Sequence, residues 1–305
     1  MARGNPIKVL RSTRANLDAQ RAANGLIAGE PYLITDEGRF AVATAVNAYV
    51  DFARLSELTS ALAQAPKGHI YGLTLSNNAS DMTNDIDIAA GEAASDDGFM
   101  IRLPSSITKR LDAAWLVGSG NGGLDAGSIA DGTYHVWVIQ RSDTGVVDVL
   151  FSTSASAPTM PASYDRKRRI GSILRKSGAI LAFSQRGDEF LWAGGPIADA
   201  ASVAISSTAS LHALTVPTGI KVDALFVAAG YNGSLANRLI LISSPDQADV
   251  APGATGQIGI SAAGAWAPSA LRIRTNTSGQ VRARGDTTLA LSIGTHGFID
   301  RRGRD

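Results

Sequence analysis

From about residue 69 onward the sequence is a succession of short apolar stretches, each cut off by a cluster of turn residues before it could complete a long helix. Phe99, Ile101 and Leu103 alternate with other residues, and Tyr134, Val136 and Val138 alternate with His135, Trp137 and Ile139, a set that is also mostly apolar. The first pattern predicts a strand with one buried face. The second predicts a strand buried on both. Ser142-Asp143-Thr144-Gly145 turns the chain into the run 146–151, and further strands are expected at 170–174, 179–183 and 190–192. The same style continues at 211–216, 222–227, 239–242, 271–274, 281–284 and 289–293, with turns at Pro217-Thr218-Gly219, Asn232-Gly233 and Ser278-Gly279. The 32 glycines of this 305-residue chain supply the positive φ such turns need. The spacing predicts a mainly β protein with two β-sandwich or jelly-roll-like domains, 69–195 and 196–305. No fixed-period repeat suggests a solenoid.

The first 68 residues are patterned differently. Ile7, Val9 and Leu10 predict a short strand, and Ser12 or Thr13 can cap a helix to about Ala23 with Gly25 as its stop. Strands are expected at 32–35 and 39–43, joined as a hairpin by Asp36-Glu37-Gly38. Over 51–65, Phe52, Leu55, Thr59 and Leu62 step by three, four and three, an apolar seam of about two heptads. Two heptads do not stand alone. They suit either a helix packed on its own domain or a neck where chains meet. Pro66-Lys67-Gly68 ends the segment, which gives an N-terminal module at 1–50 and a helical neck at 51–68.

Composition restricts the function classes. The hydrophobic fraction is 45%, enough for real cores, while only 18% of residues are charged, which suggests that other subunits cover much of the surface. A net charge of +1 argues against nucleic-acid binding by bulk electrostatics. With no cysteine, disulfides and thiol chemistry are excluded. The start Met-Ala-Arg-Gly-Asn-Pro has no apolar signal core and no apolar run reaches membrane-span length, so synthesis in a cytoplasm and exit by another route are expected.

Residues 7–13, the alanine-rich helix after them, and Gly29-Glu30-Pro31-Tyr32-Leu33-Ile34-Thr35-Asp36-Glu37-Gly38-Arg39-Phe40 resemble the N-terminal module of bacteriophage tail fibre and tropism-determinant proteins. There a Gly-Asp-Gly and a Trp usually follow, where this chain has Ala43-Thr44-Ala45-Val46-Asn47-Ala48-Tyr49. Residues 143–154 and 168–173 also resemble phage structural proteins. The resemblance implies a homotrimer in the virion whose N-terminal module is a small β-prism. Gly29, Glu30, Pro31, Gly38 and Arg39 would belong to the part that docks on other phage structural proteins, and Phe52, Leu55 and Leu62 to the trimer neck. It implies a tail fibre or tail-tip adhesin that recognises the host surface. A head or neck fibre or decoration protein is the alternative, and a glycan-degrading tail spike the third reading. Three chains would also cover the edge strands and apolar faces that isolated sandwiches leave open.

No motif points to an enzyme, a cofactor or a metal. Gly118-Ser119-Gly120-Asn121-Gly122-Gly123 fits a dinucleotide fingerprint, but Leu124-Asp125-Ala126-Gly127-Ser128 does not open the required helix, so a flexible loop is expected. Arg-Gly-Asp at 186–188 and 284–286 reads as two tight turns. His69, His135, His212 and His296 lack metal-ligand spacing, and His135 reads as a satisfied core histidine. No EF-type spacing surrounds the Asp pairs at 85–87 and 96–97. Arg166-Lys167-Arg168-Arg169 reads as a solvated basic loop entering a strand, and Arg272/Arg274 and Arg282/Arg284 as one charged face on each of two strands. If the chain holds a host glycan, Tyr231, Asn232 and Trp266 in turn-like stretches are the candidates, because aromatic faces suit sugars.

Overall fold

The structure, a computed structural model, describes residues 9–54, 57, 65–231, 233, 236–253, 258–260 and 262–304. The chain forms two compact units, residues 1–64 and 65–305. Both are mainly β.

The first unit orders its strands β1 (Leu10–Ser12), β2 (Pro31–Ile34), β3 (Arg39–Ala45) and β4 (Ala48–Asp51) in one sheet, with helix α1 (Arg14–Ala22) between β1 and β2 in the chain. Thr13 caps α1 through its side chain, which accepts from the Asn16 N–H, and Leu17 is the buried residue of the helix. The helix returns the chain so that β1 runs parallel to β2, while β2 and β3 form the expected hairpin around Gly38, whose φ is +61°. Leu17, Leu26, Tyr32, Ile34, Ala41 and Ala43 make the core. Arg14 ties the unit together: its guanidinium meets Glu37 at 2.8 Å and Asp51 at 2.6 Å and donates to the Tyr49 hydroxyl. Those bonds push Arg14 above its ordinary pKa range.

The helix expected over 51–65 does not begin at 51. Asp51 closes β4, and the Phe52 N–H donates to the Phe40 carbonyl at 2.8 Å, continuing the β3–β4 ladder with the Phe52 ring 56% exposed. Leu55, Thr59 and Leu62 lie outside the described residues.

The second unit contains, in chain order, β5 (Ile70–Gly72), β6 (Leu75–Asn77), β7 (Asp85–Ile88), β8 (Gly91–Ala94), β9 (Met100–Leu103), β10 (Ile107–Ala114) and β11 (Asn121–Leu124). Then come β12 (Gly132–Gln140), β13 (Val147–Ser152), β14 (Arg166–Lys176), β15 (Ala179–Ile180), β16 (Phe183–Arg186), β17 (Glu189–Trp192), β18 (Ile197–Ile205) and β19 (Ser210–Ala213). The last are β20 (Asp223–Tyr231), β21 (Arg238–Ser243), β22 (Ile258–Ile260), β23 (Trp266–Arg274), β24 (Gln280–Gly285) and β25 (Leu289–Ile299). An eight-stranded sheet runs β15-β14-β12-β13-β11-β10-β7-β6, and a six-stranded sheet runs β16-β17-β25-β20-β23 with β18 also on β25. Two smaller sheets are β19-β24-β21-β22 and β5-β8-β9.

The expected boundary at 195/196 does not divide this unit. β16 and β17, assigned by spacing to the middle domain, join the C-terminal sheet, with Glu189 opposite Ile299 and Phe190 opposite Phe298. Phe190 stacks on Phe298 at 4.8 Å between ring centroids, and Trp192 packs on the same ring. One continuous apolar core therefore runs from Leu73 to Phe298. Gly194-Gly195-Pro196 is a surface turn between β17 and β18, with Gly195 at φ +87°. The strand expected to be buried on both faces is so: Tyr134, Val136 and Val138 enter the main core, while Trp137 and Ile139 pack with Leu150 and Tyr164 in a second cluster.

Candidate binding face

The six-stranded sheet turns one face to the core and leaves the other open. Along β20, Ala224, Phe226, Ala228 and Gly230 are buried, while Leu225, Val227, Ala229 and Tyr231 point outward and are half-buried. Register carries the outward set across its neighbours. Val227 lies opposite Ala270 on β23 and Gly294 on β25, and Gly294 lies opposite Ala198 on β18. Ala229 lies opposite Pro268 and Ser292. Small side chains leave a shallow apolar concavity of about 530 Å³ lined by Pro196, Ala198, Ala201, Val227, Ala229 and Gly294, with His296 at its margin.

Each end of this face carries its own chemistry. At one end Tyr231 and Trp266, directly opposite in the ladder, stack at 5.0 Å between centroids and 29° between planes, with Trp266 48% exposed. Gly230 beneath them has no side chain because Ile240 and Ile260 fill that space. At the other end Asp223 gathers Arg272 at 2.6 Å, Arg274 at 3.5 Å and Arg301 at 3.8 Å. Burial pushes the Asp223 carboxyl up, but the Arg272 hydrogen bond and the three positive charges outweigh it and hold it below the ordinary carboxylate range. Arg272 and Arg274 are each about half exposed. The eight steps from Tyr231 to Asp223 span roughly 27 Å at strand rise. The face is thus an apolar floor with an aromatic pair at one end and a cationic rim at the other. It can receive an extended ligand that offers flat apolar patches and negative charge.

Of the candidate residues, Tyr231 and Trp266 come together despite their distance in sequence, and Asn232 lies outside the described residues. Gly29, Glu30, Pro31, Gly38 and Arg39 all belong to the first unit. Gly29 sits at φ +87° and donates to the Ala43 carbonyl, Glu30 accepts from the Tyr32 hydroxyl, and Pro31 opens β2. Arg39 pairs with Glu37, Asp51 and Glu57.

Other motifs resolve as structure. The basic run 166–169 is not a solvated loop. It is the start of β14, where Lys167 pairs with Asp96 at 2.8 Å and Arg168 and Arg169 are buried. Asp188 of the first Arg-Gly-Asp is held by Arg302 and Arg304, and in the second Arg284 pairs with Asp249 and Asp286 lies 3.7 Å from Arg238. His135 is fully buried with Nδ1 2.9 Å from the Ser172 hydroxyl, and burial together with the Arg169 charge pushes it down to about 4. His69 lies 3.1 Å from Glu92, and His212 2.9 Å from Ser210. Among the described residues no three His, Asp or Glu side chains gather as metal ligands would. The outward small residues of β20 and β25 were not singled out from the sequence. Their signal was the period-two alternation within 224–230, which marked a strand without saying that its second face stays open.

No protein-family model matches the chain, and no curated protein matches it. Among solved structures, one of infectious bursal disease virus, Gx strain, covers 79% of this chain and 76% of its own at 12% identity and a TM-score of 0.23. A likeness at that score carries no argument.

Proposed function

We propose that this chain is a bacteriophage virion fibre subunit, a tail fibre or tail-tip adhesin that works as a homotrimer and is not an enzyme. The first unit, built around the Gly29-Glu30-Pro31 and Gly38-Arg39 segments, is the β-prism module that docks on other phage structural proteins. The neck after it brings three chains together. The second unit presents the host-binding surface.

The observation that carries the adhesin reading is the stacked Tyr231–Trp266 pair standing exposed at the end of an apolar sheet face with arginines at its other end. An anionic bacterial surface polysaccharide matches both: its sugar rings have apolar faces for the aromatics, and its acidic groups suit Arg272 and Arg274. Two measurements test the reading. Sedimentation equilibrium of the full chain is expected to give a trimer, and a folded lone subunit at working dilution would overturn the fibre architecture. A panel of immobilised bacterial surface polysaccharides is expected to yield a retained, uncleaved ligand. A folded trimer that binds none, labelled away from the tail on intact particles, would favour a head, neck or decoration role.

A further inference from the structure

Arg168 is a buried cation that forms no ion pair among the described residues, with Asp96 as a nearby opposing charge. It is 9% exposed, it sits on β14, and among the described residues no carboxylate lies within ion-pair distance of it. One terminal nitrogen donates to the carbonyls of Arg302 and Gly303, at 2.8 and 3.2 Å, while Nε is buried with no acceptor. The neighbouring charges do not relieve it. Asp300 is taken by Arg169 at 2.5 Å, Asp188 by Arg302 and Arg304, and Asp96 by Lys167. Arg168 also lines a concavity of about 300 Å³, together with Lys67, Gly68, Ser95, Asp96 and Arg304. A guanidinium removed from water and left with one unsatisfied N–H is costly unless an anion reaches it.

We infer that this concavity is an oxyanion site, in which Arg168 from below and Lys67 and Arg304 from the rim hold a phosphate-class anion. A compact oxyanion offers several acceptors at once, enough for the exposed tenth of the Arg168 side chain, whose Nε stays sealed from solvent, and for the two cations of the rim. Burial and the nearby charges of Arg169, Arg302 and Arg304 all disfavour the bare cation, with Asp96 the opposing charge. The site joins the start of the second unit at Lys67 to its C-terminal segment at Arg304, so filling it would fasten the two ends of that fold together. It does not depend on the host-binding face.

The test is titration of the full-length protein with inorganic phosphate in phosphate-free buffer at constant ionic strength, followed by phosphorus NMR and by the thermal midpoint. One saturable equivalent per chain is expected, with a midpoint that rises beyond the chloride control. Arg168→Met should abolish both responses. Because that variant also releases the Arg302 and Gly303 carbonyls and could fail to fold, Lys67→Ala on the exposed rim provides a second variant. It should fold as the parent does and bind phosphate about tenfold more weakly. A parallel arm with glycerol phosphate separates the sources: equal binding assigns the site to phosphate carried on a larger molecule, and binding of inorganic phosphate alone assigns it to the free ion. Absence of saturable phosphate binding to the parent protein, or an unchanged affinity in Lys67→Ala, would overturn the assignment.

Discussion

Lys109 Nζ lies 3.1 Å from Asp148 Oδ1, with the lysine side chain wholly buried and the aspartate 1% exposed. The lysine also donates to the carbonyls of Leu116 at 2.7 Å and Gly118 at 3.2 Å, and the aspartate accepts from the Gly118 and Val149 N–H groups. The glycine-rich segment that resembled a nucleotide loop is therefore anchored from inside, between β10 and β13. Burial lowers the Lys109 pKa, and the Asp148 charge and hydrogen bond oppose that shift.

Removing one partner leaves the other charged and unsatisfied in the interior. Lys109→Met is expected to destabilise the second unit by about 3–5 kcal/mol. Adding Asp148→Asn keeps an acceptor for the Gly118 N–H while removing the orphan charge, and should recover at least about 1 kcal/mol of the loss. Urea unfolding of the two variants checks both. Equal stability of the single and double variants would mean that the charges are not coupled.

The C-terminal strand meets β17 only because residue 297 has no side chain. A Cβ at Gly297 would collide with the Phe190 carbonyl oxygen and the Leu191 Cα, both backbone. Three residues earlier on β25, a Cβ at Gly294 would find only the Pro196 Cβ, at 3.5 Å. Gly297→Ala should therefore cost about 3 kcal/mol or more by forcing the strands apart. Gly294→Ala should stay within about 0.5 kcal/mol of the parent. Thermal midpoints measured side by side test the contrast, and equal losses would contradict it.

How much of this could be read in advance follows from range. Thr13, the Asp36-Glu37-Gly38 turn and the two-sided apolar strand at 134–139 are local signals, and each element formed where its residues said it would. The pairing of Glu189 with Ile299 spans more than a third of the chain, and no local pattern encodes a partner so far away. That is why strand spacing placed a domain edge at 195/196, where the fold has none. The basic run at 166–169 misled for a related reason: charge predicts solvent, and only the fold supplies Asp300 to take Arg169 inside. Tyr231 and Trp266 could be nominated one by one as ring faces for sugar. Their stacking, and the apolar floor beside them, required the register of β20 against β23.

Acid should weaken the fold through His135. Its folded-state value is about 4 against 6.5 for the free side chain, so between those values the unfolded chain takes up a proton that the folded chain refuses. The sign follows: this contribution is fully present above pH 6.5, is lost as pH falls toward 4, and changes no further below that. At roughly 1.4 kcal/mol per unit the loss reaches at most about 3 kcal/mol. His212, also pushed down by burial, acts in the same direction. Asp300 does not act in this window, because burial raises its carboxyl but the bond and charge of Arg169 win and hold it below 3.8. Denaturant midpoints from pH 7 to 4 should fall, and His135→Gln should flatten that slope relative to its own value at pH 7. A parallel slope in the variant would assign the effect elsewhere.

The proposed host-binding face makes the last prediction. A sugar ring stacked on Trp266 would lose its apolar platform in Trp266→Ala, and affinity for the retained polysaccharide should drop tenfold or more, about 1.4 kcal/mol. Tyr231→Phe keeps the ring and the stack, so it should bind within about threefold of the parent if stacking dominates, and more weakly only if the hydroxyl holds the ligand. Arg272→Gln should weaken binding mainly at low salt, since an exposed charge acts through a field that added ions screen. Trp266 is half exposed, so Trp266→Ala should leave the urea midpoint close to the parent value. Unchanged polysaccharide binding by a folded Trp266→Ala would remove the aromatic pair from the recognition surface and leave the arginine end of the face to account for any attachment.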